Sequence, residues 1–406
     1  MKKYETDVCI IGGGPAGIIA ALLLSKAGLR TLVLEQHRDF SREYRGEVLM
    51  PRFTQMMRQI GLFSYLETCP HLKMRGLEGF YHNRPFIRLG IDQIAPEAPF
   101  TIWMPQTVML EALYQKCKEQ PTFDLWFNSR PKNSIEENGK IAGVIAEKDH
   151  EEIEVRAKVV VGADGRFSSA RHLGGFELSY ESHAFDLVWF TVPQPAGYDQ
   201  QVRFYLSEGR NYLVLPKYPH SLQVGVVVAP GEFSEFHKKG IDSFRQILLQ
   251  TRQPLIQEFA KGLKDFHPFN ILQAKIERVK TWARDGMVLI GDAAHTCSPA
   301  GAIGVSVAVA TAIVAAEVIR DCFRKNDFSK QALGKIQEIR EPEVLEIHRM
   351  QETFSGLLRR GSPWMRNIAT PAVLFLLSRA GLFRKAQRRL MVMEKPLPVS
   401  KDLGFS

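Results

Sequence analysis

The sequence predicts an α/β fold in which a Rossmann-like dinucleotide-binding sheet is interrupted by a mostly antiparallel β-sheet and followed by C-terminal helices. Three observations carry that prediction. Residues 7–35 hold an apolar strand, a glycine-rich turn, a helix and a second strand ending on an acid. Two later apolar strands, 159–162 and 287–290, also run into Gly and Asp. Between them, residues 185–228 alternate in the manner of strands with one buried face.

The first unit is built in order. Residues 7–11 are a short β-prone apolar run suited to a buried parallel strand. Gly12 permits the tight turn that follows, and Gly14 lets backbone approach a pyrophosphate. Gly17 lets helix and strand pack closely. Pro15 and Ala16 open the helix, whose N-terminus faces the phosphates, and Gly28 stops it. Strand 29–34 ends on Glu35, roughly the expected 20 residues on, where a carboxylate accepts hydrogen bonds from a ribose. Pro51 opens a helix with Phe53, Met56, Met57 and Ile60 at helical spacing. Residues 77–81 and 85–89 read as strands of the second sheet, and Gln106 begins a helix running to Lys118. Asn138-Gly139 marks a hairpin turn. Residues 241–262 and 302–320 read as helices, as do segments of 342–406.

Composition bounds the class. The 406 residues, 45% hydrophobic and 24% charged, suit a globular protein of two domains, or of one with insertions. The net charge of +9 favours anionic cofactors or membrane surfaces, and no nucleic-acid signature accompanies it. Five widely spaced cysteines without a CxxC pair indicate neither a disulfide framework nor a metal site, which fits a reducing cytoplasm. The uncharged runs 8–25 and 293–316 are interrupted by Gly and Pro, and read as cofactor-binding elements rather than membrane spans. An apolar run at 372–377 followed by Arg384, Lys385, Arg388 and Arg389 allows peripheral contact with an anionic membrane.

Taken together, Gly12 to Gly17 with Glu35, Asp164-Gly165 and Gly291-Asp292 resemble, in order and context, the class A flavoprotein monooxygenases. These are the para-hydroxybenzoate-hydroxylase-like and ubiquinone-biosynthesis-like aromatic hydroxylases. The resemblance implies a non-covalent FAD on a glutathione-reductase-type fold. It assigns residues 1–75, 105–180 and 276–341 to an FAD-binding domain, 76–104 and 181–275 to a substrate domain, and 342–406 to a helical region. It places Glu35 and Gln36 beside the cofactor, with Arg45 against its phosphates and Gln106 hydrogen-bonding to it. Asp164 and Gly165 form the DG motif, which is also associated with NAD(P)H use. Asp292 meets the ribityl chain, Pro299 the flavin's reactive edge, and Gly301, Ala302, Ile303 and Gly304 the ring. Where many relatives carry Asn and Asp in the following helix, this chain has Ser306 and Thr311.

With no second GxGxxG, no separate nicotinamide domain is expected, so NADPH or NADH would dock transiently. The implied chemistry is hydride transfer to FAD, reaction with O2 to a C4a-hydroperoxide, and hydroxylation of an electron-rich small molecule. An aromatic compound, a quinol precursor and a polyketide all fit. Arg203, Tyr205 and Tyr212 on the sheet are candidates to bind or deprotonate that substrate. Rival readings are a geranylgeranyl-reductase-like enzyme, a halogenase, whose tryptophan-type WxWxIP segment is missing, and a non-catalytic FAD-binding protein.

Overall fold

Strand Lys2–Ile11 lies at the centre of the first sheet, which the computed structural model describes together with residues 12–41, 47–81, 84–206, 210–251, 253–359 and 381–405. Its parallel strands run in the order Phe123–Trp126, Thr31–Leu34, Lys2–Ile11, Glu151–Gly162 and Met287–Leu289. Residues 8–11 are at most 2% exposed. They show no alternation because both faces of the strand are buried. Helix Pro15–Lys26 is buried all round from Ala16 to Ser25, as its uniformly apolar sequence requires. It packs between the sheet, helix Gln106–Lys118 and helix Gly304–Lys325.

The parallel register sets Ile11 beside Gly162 and Gly162 beside Leu289. Backbone bonds continue past the strand ends, from Ala163 N–H to Ile11 O and from Ile290 N–H to Gly162 O, both 2.8 Å. The three glycine-and-acid turns therefore leave the sheet side by side. On the far flank, strands Ser129–Glu137 and Lys140–Lys148 form a hairpin. Asn138 and Gly139 take positive φ of 52° and 76°, as the dipeptide predicts.

The second sheet contains eight strands, in the order His295–Thr296, Asn270–Val279, Leu178–Pro193, Ser221–Val228, Asn211–Lys217, Gln201–Leu206, Gly76–Tyr81 and Arg84–Gly90. All pairs are antiparallel except Gln201–Leu206 with Gly76–Tyr81. One face carries Val188, Phe190, Val224 and Val226, covered by helices Glu232–Lys239, Ile241–Leu249 and Pro254–Gly262. The helical stretch expected at 241–262 is thus two helices separated ahead of Pro254, with a third before them.

Helix Lys330–Arg359 runs unbroken past Pro342, across the domain boundary expected at 341. The apolar run 372–377 lies outside the described residues. Among the described residues, no helix is long and apolar enough to cross a membrane.

Three charged residues tie the inserted strands together. Arg88, Glu78 and Arg203 stand directly opposite one another on neighbouring strands. Glu78, 3% exposed, accepts from Arg88 Nε at 2.7 Å and from Arg203 Nε at 2.9 Å. Burial pushes its carboxyl up, but the two guanidinium groups outweigh that and hold it below the usual range. Glu78→Gln should cost about 1.5–3 kcal/mol at pH 7, read from urea denaturation. Because the folded-state pKa is depressed, Glu78's contribution is present above the unfolded value of about 4.3 and lost as pH falls below it. The gap between wild type and variant should therefore close under acid conditions; a gap constant from pH 7 to pH 3 would refute the ionic account.

Candidate active site

The turn after the first strand is shaped by steric exclusion. A Cβ at Gly17 would lie 1.9 Å from the Gly12 carbonyl oxygen, so only glycine lets the helix sit this close. Gly12, at φ +103°, has Ala163 and Asp164 backbone within 2.8 Å of a would-be Cβ. Gly14 differs: a Cβ there meets nothing within 4 Å, and the residue borders a cavity of about 2140 Å³. Pro15 occupies the first helical turn, where an absent N–H costs nothing.

Glu35 is 6% exposed and braces that turn. Its Oε2 accepts from Gly13 N–H at 2.8 Å and its Oε1 from His37 N–H at 3.0 Å. It also borders the cavity with Gln36 and with Gln106, which opens its helix as expected. Arg45 lies outside the described residues.

At the second strand end the Asp164 carboxylate is spent locally. It accepts from the Ser168 and Ser169 hydroxyls at 2.5 and 2.8 Å, and from Ala170 N–H at 3.0 Å. The Asp164-Gly165 turn nevertheless borders the cavity, and Gly165, at φ +81°, has no protein atom near its Cβ position. The next residue, Arg166, is one that sequence reasoning passed over inside its own motif. Its guanidinium bridges the turns, donating to Asp292 Oδ2 at 3.3 Å, Gln273 O at 3.0 Å and Cys297 O at 3.3 Å. Burial raises the Asp292 carboxyl above its ordinary value, and Arg166 works in the opposite direction.

The third turn, Pro299 to Gly304, lines the same cavity. Gly301 and Ala302 both have positive φ, +82° and +48°, with Ala302 N–H donating to Pro299 O at 2.9 Å. An alanine in that region is strained, and such strain concentrates at functional turns. Ile303 caps helix Gly304–Lys325, whose first-turn N–H groups have no partner within the helix and face the turn. Thr311, where relatives carry Asp, is buried. It donates to Val307 O at 3.0 Å and lies 2.9 Å from His295 Nε2. Its own proton is committed to Val307, so His295 must donate from Nε2. Burial, helped by Arg340 and His348, lowers the His295 pKa to about 3, leaving it neutral near pH 7. Thr311 thus belongs to the core behind the turn.

The opposite wall is the open face of the second sheet, lined by Leu187, Trp189, Val202, Phe204, Leu213 and Leu215. A Cβ at Gly225, paired with Trp189, would come within 2.9 Å of the indole, so this glycine lets the ring lie against the sheet. The alternation on strand Gln201–Leu206 puts Val202, Phe204 and Leu206 at the cavity and turns Arg203 and Tyr205 away from it. Arg203 is bound to Glu78 and Asp199, and Tyr205 stacks on Phe80 at 5.0 Å. Tyr212 touches the cavity margin, but it packs in the cluster under the helices, where its hydroxyl engages Thr251. The structure therefore turns Arg203 and Tyr205 away from the flavin motifs, because ion pairing and ring packing claim them, and keeps Tyr212 on the cavity lining.

Helix Leu382–Met391 closes one side. Leu390 Cδ1 approaches within 3.7 Å of the Gly301 Cβ position, and Met391 packs with Leu77 and Leu215. Arg388 donates to Ile94 O at 3.0 Å and Arg389 lies 3.7 Å from Glu346, so part of the basic tail is directed at the protein itself.

Comparison with known proteins agrees with this geometry. The chain is 29% identical to 6-methylpretetramide 4-monooxygenase of Streptomyces rimosus over 98% of its length and 95% of that protein's. It is 26% identical to a digeranylgeranylglycerophospholipid reductase of Thermoplasma volcanium, over 84% of this chain and 83% of that one. The structure of p-nitrophenol 4-monooxygenase from Pseudomonas putida superposes with a TM-score of 0.79 at 18% identity, covering 96% of this chain and 97% of that one. The FAD binding domain model matches residues 5–325, and so, as the resemblance to class A flavoproteins implied, the chain belongs to the FAD binding domain family.

Proposed function

We propose that this protein is a single-component FAD-dependent monooxygenase that uses NAD(P)H and O2 to hydroxylate an aromatic or polyketide-like small molecule. The observation that carries the reading is one shared cavity: the three FAD-motif turns form one side and an apolar, aromatic sheet face the other. At about 2140 Å³ it exceeds the roughly 300–1,000 Å³ of a single-ligand pocket, leaving room for a dinucleotide and a substrate together.

The residues present fit FAD. Gly12, Gly14 and Gly17, with Pro15 and Ala16, would take the pyrophosphate, and the open Cβ position at Gly14 is where a phosphate needs the space. Glu35, Gln36, Gln106 and Gly165 would border the adenosine half and linker, and Gly291-Asp292 the ribityl chain. Bound FAD would supply hydride acceptance from NAD(P)H and oxygen activation. The chain's own residues would do the rest. First-turn N–H groups of helix Gly304–Lys325, with its dipole, favour negative charge at the Pro299 to Gly304 turn. Trp189, Phe204 and Leu213 exclude water and present a flat apolar wall. Arg203, committed to carboxylates, offers no clamp for an anionic substrate, and the apolar sheet face favours a ring system held by burial. The similarity to a pretetramide monooxygenase supports the polyketide class.

Two measurements test this. Asp292→Ala should weaken FAD retention by about 1.5–3 kcal/mol, roughly ten- to hundredfold, through loss of a charged acceptor. Full flavin occupancy in that variant after dialysis would count against the assignment. Anaerobic mixing of the flavoprotein with NADPH or NADH should give faster flavin reduction when a polycyclic phenol is present, and oxygen should then yield a hydroxylated product. Bound FAD that no candidate substrate stimulates would favour a binding protein, and oxygen-independent reduction of a polyprenyl lipid would favour the reductase reading.

A further inference from the structure

Beyond the segment matched by the family, helix Lys330–Arg359 grips the turn that carries Pro299. Gln351, 1% exposed, makes three hydrogen bonds to its backbone. Its Oε1 accepts from Ser298 N–H at 3.0 Å, while its Nε2 donates to Ser298 O and Ala300 O, both at 2.8 Å. Both amide hydrogens are thereby used, and they go to the carbonyls of the two residues flanking Pro299, which has no N–H of its own. One helical turn earlier, His348 is fully buried with Nε2 3.6 Å from Cys297 Sγ. Positions 348 and 351 share a helix face, so the helix holds residues 297 to 300 at two points.

The turn needs such support. Gly301 and Ala302 lie at successive positive φ values, a conformation that persists only where surrounding contacts over-determine it. The sheet cannot supply them, because the last paired residues before the turn are His295 and Thr296. The side-chain amide of Gln351 takes the place of a neighbouring strand.

We propose that Gln351 is a positioning residue for the flavin: it fixes the Pro299 to Gly304 turn and so links the C-terminal helix to cofactor retention and to the flavin's electronic environment. The proposal rests on the FAD site described above. Gln351→Met removes all three bonds at similar volume. Gln351→Glu is isosteric, keeps the acceptor for Ser298, and carries the test if the methionine variant fails to fold. Glu338→Gln, exposed on the same helix and away from the cavity, is the control.

Hydrogen–deuterium exchange on the full-length, flavin-free chain reads the clamp directly. The peptide spanning 296–304 should exchange at least about tenfold faster in the methionine variant, with the thermal midpoint near that of wild type. FAD titration should then show at least about fivefold weaker binding, and the visible absorption band of the bound flavin should shift, which a merely structural residue would not cause. Exchange at 296–304 matching wild type and the control overturns the proposal. Faster exchange with unchanged FAD affinity and spectrum overturns the link to the flavin. A wild-type chain that binds no FAD would instead sink the cofactor assignment, and the exchange comparison, which needs no flavin, would still decide whether Gln351 holds the turn.

Discussion

Parallel pairing of three strands is the constraint on which the rest depends. Strands Lys2–Ile11, Glu151–Gly162 and Met287–Leu289 are far apart in sequence, yet hydrogen bonding sets Ile11, Gly162 and Leu289 in one row. Parallel strands all point their C-terminal ends the same way, so every turn that follows opens on the same edge. Small residues are required there. A Cβ at Gly162 would come within 2.6 Å of both Leu289 and Ala170, and one at Gly17 would strike the Gly12 carbonyl. Close approach at this row is what allows Gly12 to Gly17, Asp164-Gly165 and Gly291-Asp292 to share one cavity wall.

Acids at these turns do two kinds of work. Glu35 and Asp164 direct carboxylate oxygens at protein donors, Gly13 and His37 in one case, Ser168, Ser169 and Ala170 in the other. They shape the backbone that faces the cavity. Asp292 accepts from Arg166 at 3.3 Å, and among the described residues more of its hydrogen-bonding capacity is open. The family's acidic signature thus mixes turn-builders with a residue suited to touch ligand, a distinction that spacing alone does not reveal.

The first sheet was legible because its signals are local and redundant. Apolar runs, glycine turns and the Asn138-Gly139 hairpin each demand one conformation, and helix Gln106–Lys118 begins and ends where its residues predict. The apolar sheet face was less legible. Alternation says that Arg203 and Tyr205 share a side, but not which side faces the ligand; that is settled by partners from Gly76–Tyr81, more than a hundred residues earlier. Arg166 sits inside a motif whose spacing does not reveal its role as a bridge, and Gln351 carried no signal at all. A glutamine in a polar helix looks solvated until the fold brings Ser298 and Ala300 against it.

Similarity to both a monooxygenase and a reductase has a physical basis in this division. The turns that suit FAD are written into the strand ends and tolerate little change, since a methyl group at Gly17 has nowhere to go. The cavity's opposite wall is assembled from separate pieces: a sheet face with Trp189 against Gly225, and helix Leu382–Met391 with Leu390 over Gly301. Side chains on those pieces can vary without disturbing the row of strand ends. A different substrate can therefore be met by changes in that wall, with the cofactor edge kept. In this chain the sheet face is largely apolar and aromatic; Arg203, turned away from it, is bound to Glu78 and Asp199, and Lys217 is a cation that this face brings to the cavity. A bulky ring system gains from that surface by burial alone, whereas a carboxylate set against it beyond the reach of Lys217 would be desolvated without a partner.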